Sequence, residues 1–304
     1  MASIESVTDR IDRLRRERNA IIVAHNYQLG EVQDIADFTG DSLELSRKAA
    51  STDADVIVFC GVHFMAETAS ILCPDKVVLL PDINSGCLMA DMLTADDLRE
   101  EKAKHPGSVV VCYVNSSAEV KAESDICCTS ANGPTIVASF PAGQEIIFVP
   151  DMFLGQYSAS MAGRNIITWH GYCPTHARIC PEDIIRLREQ YPEAKVVVHP
   201  ECRPEVIEMA DEVGSTSGII RYASRDNVKE LIVGTEIGII HRLRKENPAK
   251  KFIPISEQAV CPYMKLITLE KVLRSLEVMA PEVKVPEHIR VRARTSVDRM
   301  LEVS

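Results

Sequence analysis

The sequence predicts an α/β fold of three similar αβα domains, each with a parallel sheet, related by a pseudo-threefold axis. Two observations favour this prediction. Short runs rich in Val and Ile alternate with helical segments, and one order of features occurs three times along the 304 residues. Apolar runs without alternation are typical of strands buried on both faces of a parallel sheet, and alternating strands and helices indicate layered α/β packing.

Nine segments carry this strand pattern, with helical stretches between them. The predicted strands are Ala20–Ala24, Val56–Cys60, Val77–Leu80, Val109–Tyr113, Glu145–Val149, Asn165–Trp169, Lys195–His199, Glu230–Val233 and Lys251–Ile255.

The repeated order begins with a strand that ends in polar residues and continues with a turn of small residues. The polar strand ends are His25–Tyr27, Tyr113–Asn115 and His199–Glu201. The turns are Thr39–Ser42, Thr129–Asn132 and Gly214–Ser217. Because ligands bind at the carboxyl ends of strands in open α/β sheets, we expect these residues to face a common centre.

Each unit ends with a strand that runs into a cysteine. Cys87, Cys173 and Cys261 are 86 and 88 residues apart. In a chain with ten cysteines a near-even triple can arise by chance. The polar strand ends and the small-residue turns recur in phase with the cysteines, however, and this agreement indicates a triplicated unit.

Domain limits follow from this period. A unit of this length is too long for a solenoid repeat, so each one is predicted to be a small α/β domain. The predicted domains are residues 1–85, 86–172 and 173–269. Residues 270–304 are expected to pack back on the first domain.

The three repeated cysteines are candidate metal ligands. Each lies just past a strand and before a helical stretch, where backbone amides favour the thiolate, the form that binds metal. A catalytic zinc site would take three ligands and a water, although sulfur-only sets are unusual there. A [4Fe–4S] cluster normally has four cysteine ligands, so three would leave one iron with an exchangeable site that acts as a Lewis acid. Three ligands therefore favour a catalytic cluster over one that only relays electrons.

Composition excludes some function classes. The formal net charge of −10 and the aromatic fraction of 5% oppose binding to nucleic acid or to an anionic membrane. The first 18 residues carry a helical stripe of apolar side chains rather than a signal peptide, and no run approaches the length of a membrane span. We therefore expect a cytoplasmic protein, in which the ten cysteines do not form structural disulfides.

At the polar strand ends, the turns and the cysteines, the sequence resembles the quinolinate synthase family. The matching segments span residues 24–265 in the family's order. They are Ala24–Gln28, Gly40–Ser42, Gly86–Ala90, Tyr113–Asn115, Cys128–Asn132, Gly171–Cys173, His199–Cys202, Gly214–Gly218 and Cys261–Lys265. The resemblance implies a triangle of three α/β domains around a [4Fe–4S] cluster held by Cys87, Cys173 and Cys261. Some bacterial members have a C-x-x-C-x-x-C run at the third ligand, but here no cysteine follows Cys261.

The resemblance also implies the reaction and its partners. The family condenses iminoaspartate with dihydroxyacetone phosphate in NAD biosynthesis, with loss of phosphate and water. An aspartate-oxidising partner is expected to supply the unstable imine. The small, anionic substrates require hydrogen-bond donors in the site, since the bulk charge of the chain is negative.

Roles for individual residues follow from the resemblance and from their positions. The residues expected to bind substrate are His25, Ser42, Tyr113, Asn115, Ser130, His176, His199, Glu201 and Thr216. Glu201 and His199 are expected to perform general acid–base catalysis, and Tyr27 to donate a proton or polarise a carbonyl. Taken singly, a histidine at a strand end is more often part of the core, and a Ser or Thr in a turn is more often a helix cap.

Two alternatives stay open. A cluster-dependent hydro-lyase acting on another carboxylate would use the same open iron, and only a substrate assay separates it from the first hypothesis. A non-catalytic redox sensor would need a further ligand or a redox-labile pair, for which Cys127 and Cys128 are the candidates. The redox-sensor hypothesis leaves the repeated polar strand ends unexplained.

Overall fold

The architecture consists of three parallel four-stranded sheets with helices between the strands, described here for residues 5–303 in a computed structural model. The strands of the first sheet are β1 (Ala20–His25), β2 (Phe38–Gly40), β3 (Val56–Cys60) and β4 (Val77–Leu79). Those of the second are β5 (Val109–Tyr113), β6 (Ile126–Cys128), β7 (Ile146–Val149) and β8 (Ile167–Thr168). Those of the third are β9 (Lys195–Val198), β10 (Glu212–Val213), β11 (Glu230–Gly234) and β12 (Lys251–Pro254). The predicted α/β class with three repeated units is confirmed.

Helices connect the strands and close the chain. They are α1 (Val7–Glu17), α2 (Gly30–Ile35), α3 (Ser42–Ser51), α4 (His63–Leu72), α5 (Ala95–Lys104), α6 (Ala118–Ala122), α7 (Gly133–Ser139), α8 (Met152–Ala162), α9 (Pro174–Ala177), α10 (Pro181–Gln190), α11 (Pro204–Glu208), α12 (Thr216–Ala223), α13 (Ile239–Glu246), α14 (Leu269–Val278) and α15 (Glu287–Glu302). Across residues 5–303, no helix is both long enough and apolar enough to span a membrane.

All nine predicted strands form, with ends that shift by at most two residues. The prediction missed one strand in each unit, namely β2, β6 and β10. These strands have two or three residues each, which is too short for a pattern of hydrophobicity to be recognised. They lie at the edge of their sheets and lead into the small-residue turns, the first of which β2 overlaps.

The three sheets share one strand order, in which the second strand of each unit lies at the edge, next to the first. Equivalent residues also pair in equivalent register, with Ala24 opposite Cys60, Cys112 opposite Val149 and Val198 opposite Gly234. The strand ends that follow these pairs are therefore structurally equivalent in the three units.

A triplicated aspartate marks the same repeat at the other end of each sheet. In each unit its carboxylate accepts the backbone N–H of the first strand at 2.8 Å. The pairs are Asp37 with Ile22, Asp125 with Val110 and Asp211 with Val196. Such a bond satisfies a strand N–H that would otherwise lack a partner, since the neighbouring edge strand begins only after the aspartate.

The core lies within the sheets and between them and their helices. The first strand of each unit is almost wholly buried, with Ile22, Val110 and Val196 each at 0% exposure. The last two helices return to the earlier units, because α14 packs on α1 while α15 packs on α6, β6 and α4. The domain limits near residues 85, 172 and 269 stay a prediction.

Candidate active site

A partly open cavity lies where the carboxyl ends of the three sheets meet. Every residue that the sequence analysis placed at the site lines it. These residues are His25, Tyr27, Ser42, Cys87, Tyr113, Asn115, Ser130, Cys173, His176, His199, Glu201, Thr216 and Cys261. These residues come from all three units, so the cavity is formed by the packing of the units against one another.

The first strand of each unit contributes two side chains to this cavity. One set of equivalent positions is occupied by His25, Tyr113 and His199. The second set lies two residues further along the chain and is occupied by Tyr27, Asn115 and Glu201. In two units a backbone N–H donates to the imidazole in the same way. The N–H of Tyr27 donates to His25 Nδ1 at 3.2 Å, and the N–H of Glu201 donates to His199 Nδ1 at 3.3 Å.

The small-residue turns supply hydroxyl groups at or near the start of helices. Ser42 and Thr216 are the first residues of α3 and α12, and Ser130 lies three residues before α7. The capping role falls to their neighbours, since Asp41 accepts the N–H groups of α3 and Ser215 that of Gly218. The hydroxyls of Ser42 and Thr216 are therefore not used as caps, and the interpretation of these two residues as simple caps is wrong.

The three repeated cysteines differ from most of the other thiols in their exposure. Cys87, Cys173 and Cys261 are partly exposed at the cavity, whereas six of the other seven cysteines are buried. Burial raises the pKa of all three thiols, to about 12 for Cys87. Backbone N–H groups that follow each cysteine, such as that of His176 after Cys173, act against this effect by stabilising the thiolate.

The pair proposed for a redox sensor lies elsewhere. Cys127 and Cys128 are both at 0% exposure in β6, and the Cys127 thiol donates to Ser296 Oγ of α15 at 3.4 Å. β6, which carries both cysteines, packs against the last helix.

Glu201 is the centre of the polar network in the cavity. Its Oε1 accepts the Tyr113 hydroxyl at 2.7 Å, and its Oε2 lies 2.7 Å from His176 Nδ1. The Asn115 amide lies at the edge of hydrogen-bond range, 3.5 Å from Oε1. Burial by itself would raise the pKa of the Glu201 carboxyl, but the contact with His176, together with the hydrogen bond from Tyr113, outweighs burial and the pKa is lowered. Glu201 is therefore ionised at neutral pH.

A hydrogen-bonded chain leads from Glu201 to Tyr27. His176 Nδ1 contacts Glu201, and His176 Nε2 lies 2.8 Å from Thr235 Oγ1. That hydroxyl in turn lies 2.5 Å from the Tyr27 hydroxyl. The chain joins a base to a phenol at the cavity wall through groups that each can donate and accept a proton.

The two strand-end histidines are neutral. Burial is the main cause that lowers the pKa of both His25 and His199 to about 3. In each ring Nδ1 accepts a backbone N–H, so the single proton of the neutral imidazole is on Nε2. His199 Nε2 accordingly donates to Ser130 Oγ at 3.2 Å. Both imidazoles therefore act as hydrogen-bond donors toward the cavity.

Sequence reasoning missed several residues at the site. Thr235, Asp41 and Glu236 are buried there, and Phe64 and Met65 form an apolar part of the wall. Thr235 and Glu236 follow β11, at the end of a strand that the repeat had already identified. Inspection of that strand end would have found them, because it points at the same centre.

The donor set fits an iron–sulfur cluster with three protein ligands. Three free thiols from different units line one cavity, each with backbone N–H groups behind it. Beside Cys87, a Cβ on Gly86 would find only the Asn84 carbonyl within 4 Å, at 3.9 Å, so the chain next to this thiol is not crowded. Cys173, His176 and Glu201 also bring one donor atom each within 4.8 Å of the others. However, the carboxylate and imidazole of that trio are already bonded to each other.

Known proteins match this chain over nearly its whole length. The family described as "Quinolinate synthetase A protein" matches residues 9–302. A quinolinate synthase of Dehalococcoides mccartyi (strain CBDB1) is 62% identical over 299 residues, covering 98% of this chain and 99% of that protein. The quinolinate synthases of Methanosarcina barkeri (strain Fusaro / DSM 804) and Geotalea uraniireducens (strain Rf4) are each 56% identical, over 97% and 98% of both chains. The chain therefore belongs to the quinolinate synthetase A family.

Proposed function

We propose that this chain is a quinolinate synthase, which condenses iminoaspartate with dihydroxyacetone phosphate and releases phosphate and water. The observation that carries the proposal is the meeting of three thiols with the Glu201–His176 pair in one cavity, in a chain of this family. Quinolinate is a precursor of the pyridine ring of NAD, so the enzyme acts in NAD biosynthesis.

Cys87, Cys173 and Cys261 would hold a [4Fe–4S] cluster at the junction of the three units. When bound, such a cluster supplies an iron with an open site that acts as a Lewis acid toward an oxygen of the substrate. Support comes from the donor set itself, because thiolates are the usual ligands of iron–sulfur clusters. The backbone N–H groups that stabilise each thiolate act in the same direction.

The anionic groups of the substrates are bound by neutral donors. His25 presents an Nε2–H group, His199 uses its own Nε2–H to hold Ser130, and the hydroxyls of Ser42, Ser130 and Thr216 lie at the same cavity. Amide groups at the N-termini of helices add a favourable field for phosphate and carboxylate. The Asn115 amide has an Oδ1 atom without a partner among residues 5–303, which offers a buried acceptor for a substrate hydroxyl or N–H.

The proton transfers fall to Glu201 and the chain of groups attached to it. As an ionised carboxylate, Glu201 is a base that can take a proton directly or through the His176 imidazole. Thr235 and Tyr27 extend this path to the opposite part of the wall, where the phenol can donate a proton or polarise a carbonyl. His199 holds Ser130 and supports the backbone of Glu201, and both roles orient substrate and base.

The setting of the reaction follows from its chemistry. Iminoaspartate hydrolyses readily, so an enzyme that oxidises aspartate must supply it close by. All ten cysteines are free thiols, which fits a reducing compartment, and we propose the cytoplasm as the location.

The test begins with anaerobic purification, followed by iron and sulfide analysis and a visible absorption spectrum. We expect about four irons and four sulfides per chain, with broad absorption that is lost in air. The protein should then form quinolinate from iminoaspartate and dihydroxyacetone phosphate under anaerobic conditions. Zinc, or no metal under strict anaerobiosis, would exclude the cluster. A full cluster without quinolinate formation would point instead to a hydro-lyase acting on another carboxylate.

A further inference from the structure

Two buried carboxylates occupy equivalent positions directly behind two of the three cysteines. Asp151 and Glu236 each follow the third strand of their unit, two residues after Val149 and Gly234, which pair in equivalent register. Both side chains are at 0% exposure. The equivalent residue of the first unit is Val62, which offers no acceptor.

The backbone brings this position against the cysteine segment in all three units. The N–H of the next residue donates to the carbonyl two residues before the cysteine, at 2.7–2.9 Å. The three bonds are His63 to Ser85, Met152 to Gly171 and Ile237 to Ala259. A side chain at position 151 or 236 therefore stands beside the cysteine backbone because of the fold.

Both carboxylate oxygens of Glu236 accept hydrogen bonds from this region. Its Oε1 accepts the backbone N–H of Cys261 at 3.1 Å, and its Oε2 accepts that of Gly238 at 2.7 Å. The Lys265 ammonium lies 2.8 Å from Oε1 and also donates to the Tyr27 carbonyl. The carboxylate thus ties the third cysteine segment to its own sheet, and Lys265 ties it to the first unit.

Asp151 makes the corresponding arrangement in the second unit. Its Oδ1 accepts the backbone N–H of Leu154 at 2.8 Å. Burial raises the pKa of the Asp151 carboxyl well above its ordinary value and Glu201 adds to this effect, while the backbone N–H groups of Leu154, Phe153 and Cys173 act against it. Its Oδ2 has no hydrogen-bond partner among residues 5–303. A buried carboxyl group is costly to retain unless it interacts with a polar partner. Asp151 shares with Glu236 a place directly beside a cysteine segment, because its backbone forms a parallel bridge with Gly171.

In the first unit a hydroxyl group, rather than a carboxyl group, holds the cysteine segment in place. Ser85 donates from Oγ to the carbonyls of Gly61 at 2.7 Å and Tyr263 at 2.9 Å. These bonds hold the segment before Cys87 against the first sheet and against the third cysteine segment. Each of the three cysteines thus has a buried polar anchor, and two of the anchors are carboxylates.

We propose that Asp151 and Glu236 are positioning residues that fix Cys173 and Cys261 in the geometry needed to hold the cluster. This inference rests on the cluster of the proposed function. Each carboxylate limits the freedom of one ligand backbone, so its loss leaves the thiol present but free to move away from the metal. Groups that orient metal ligands typically contribute roughly 10- to 100-fold to metal retention.

The experiment compares anaerobically purified wild type with Asp151→Asn, Glu236→Gln and Glu236→Ala. Iron release to a chelator is followed by absorbance, and the melting temperature of each metal-free protein is measured beside it. Asp211→Asn is the matched control, because it also removes a carboxylate that accepts a strand N–H, but at the far end of the third sheet. We expect Glu236→Ala to release iron roughly 10- to 100-fold faster, and Asp211→Asn to release it at the wild-type rate. Asp151→Asn keeps an amide oxygen that can accept an N–H, so its release should be faster than that of wild type but slower than that of Glu236→Ala.

Glu236→Gln distinguishes positioning from a merely structural role. Its amide oxygen can still accept the Cys261 N–H, so its rate of iron release should lie between those of wild type and Glu236→Ala. This order is expected even if Glu236→Gln and Glu236→Ala have the same melting temperature. Wild-type release rates in the variants, or equally fast release in Asp211→Asn, would overturn the inference and leave the proposed cluster intact. A wild-type protein that holds no iron would instead remove the proposed function itself.

Discussion

His176 Nδ1 lies 2.7 Å from Glu201 Oε2, and both side chains are almost completely buried. This contact joins the helix that begins after Cys173 to the polar end of β9. It places His176 between an ionised carboxylate and a candidate cluster ligand, because His176 Nδ1 also lies 3.1 Å from Cys173 Sγ. The proposed base, the proposed relay and the candidate metal ligand therefore form one assembly.

The carboxylate of Glu201 is expected to be essential for turnover but not for the cluster. Glu201→Gln keeps the size of the side chain and removes the base, so kcat should fall by about 10²- to 10⁴-fold with the iron content unchanged. Quinolinate formation and iron analysis on the same sample measure both quantities. Glu208→Gln, at an exposed position of α11, is the control. Full activity in Glu201→Gln would remove Glu201 from the mechanism.

Each of the three repeated cysteines should be required for the cluster. Cys87→Ala, Cys173→Ala and Cys261→Ala are expected to lose the visible absorption and the activity together. Cys60→Ala, in the core of β3, should keep both, and Cys180→Ala tests a thiol that is also partly exposed. A brown, active Cys173→Ala protein would contradict the ligand assignment.

Thr235 should connect Tyr27 to His176 through its hydroxyl. Thr235→Val keeps the branched shape but breaks both hydrogen bonds, so kcat is expected to fall by about tenfold or more with the cluster retained. Thr235→Ser restores the hydroxyl and should recover most of the activity. If Thr235→Val turns over like wild type, protons do not travel along this chain.

The buried histidines should make the fold sensitive to acid. Burial lowers the pKa of His25 and His199 to about 3, with Glu201 acting in the opposite direction on both and Lys265 adding to the effect on His25. Below the unfolded pKa of about 6.5 the unfolded chain binds protons that the folded one does not. The contribution of these two histidines to stability is therefore fully present above about pH 6.5. It is lost as the pH falls toward 3, by up to about 1.4 kcal/mol per pH unit for each histidine.

Urea unfolding of the metal-free protein at several pH values from about 7 to about 5 measures this slope. His25→Gln and His199→Gln should each flatten it, whereas His288→Gln, at an exposed position, should not. Carboxyl groups whose pKa is raised by burial, such as Asp41, contribute a slope of the opposite sign, and comparison between variants removes their contribution. An unchanged slope in both variants would mean that these imidazoles are protonated in the folded protein.

Lys121 is expected to be a main stabiliser of the contact between the first two units. Its fully buried ammonium donates to the carbonyls of Ser116 at 2.7 Å and Phe64 at 3.2 Å. Lys121→Met leaves both carbonyls without this donor and should reduce the free energy of unfolding by about 3 kcal/mol or more. Urea unfolding with the exposed Lys284→Met as control measures the loss, and equal stability of the two variants would contradict it.

Much of the fold and of the site was open to prediction from the sequence. Strands buried on both faces, such as Val56–Cys60, carry their own signature because burial restricts each position to apolar residues. The three cysteines and the polar strand ends recur in phase, and a period along the chain needs no structure to be recognised. Edge strands such as β10 escaped because two residues contain too little pattern.

Only the tertiary structure decided which side chains meet. The contact of His176 with Glu201, the link through Thr235, and the carboxylates behind Cys173 and Cys261 join residues far apart in sequence or on different strands. Local periodicity reports whether a residue is buried and in which kind of element, since both depend on its neighbours along the chain. It does not report partners, because these depend on how the three sheets are packed around their common centre.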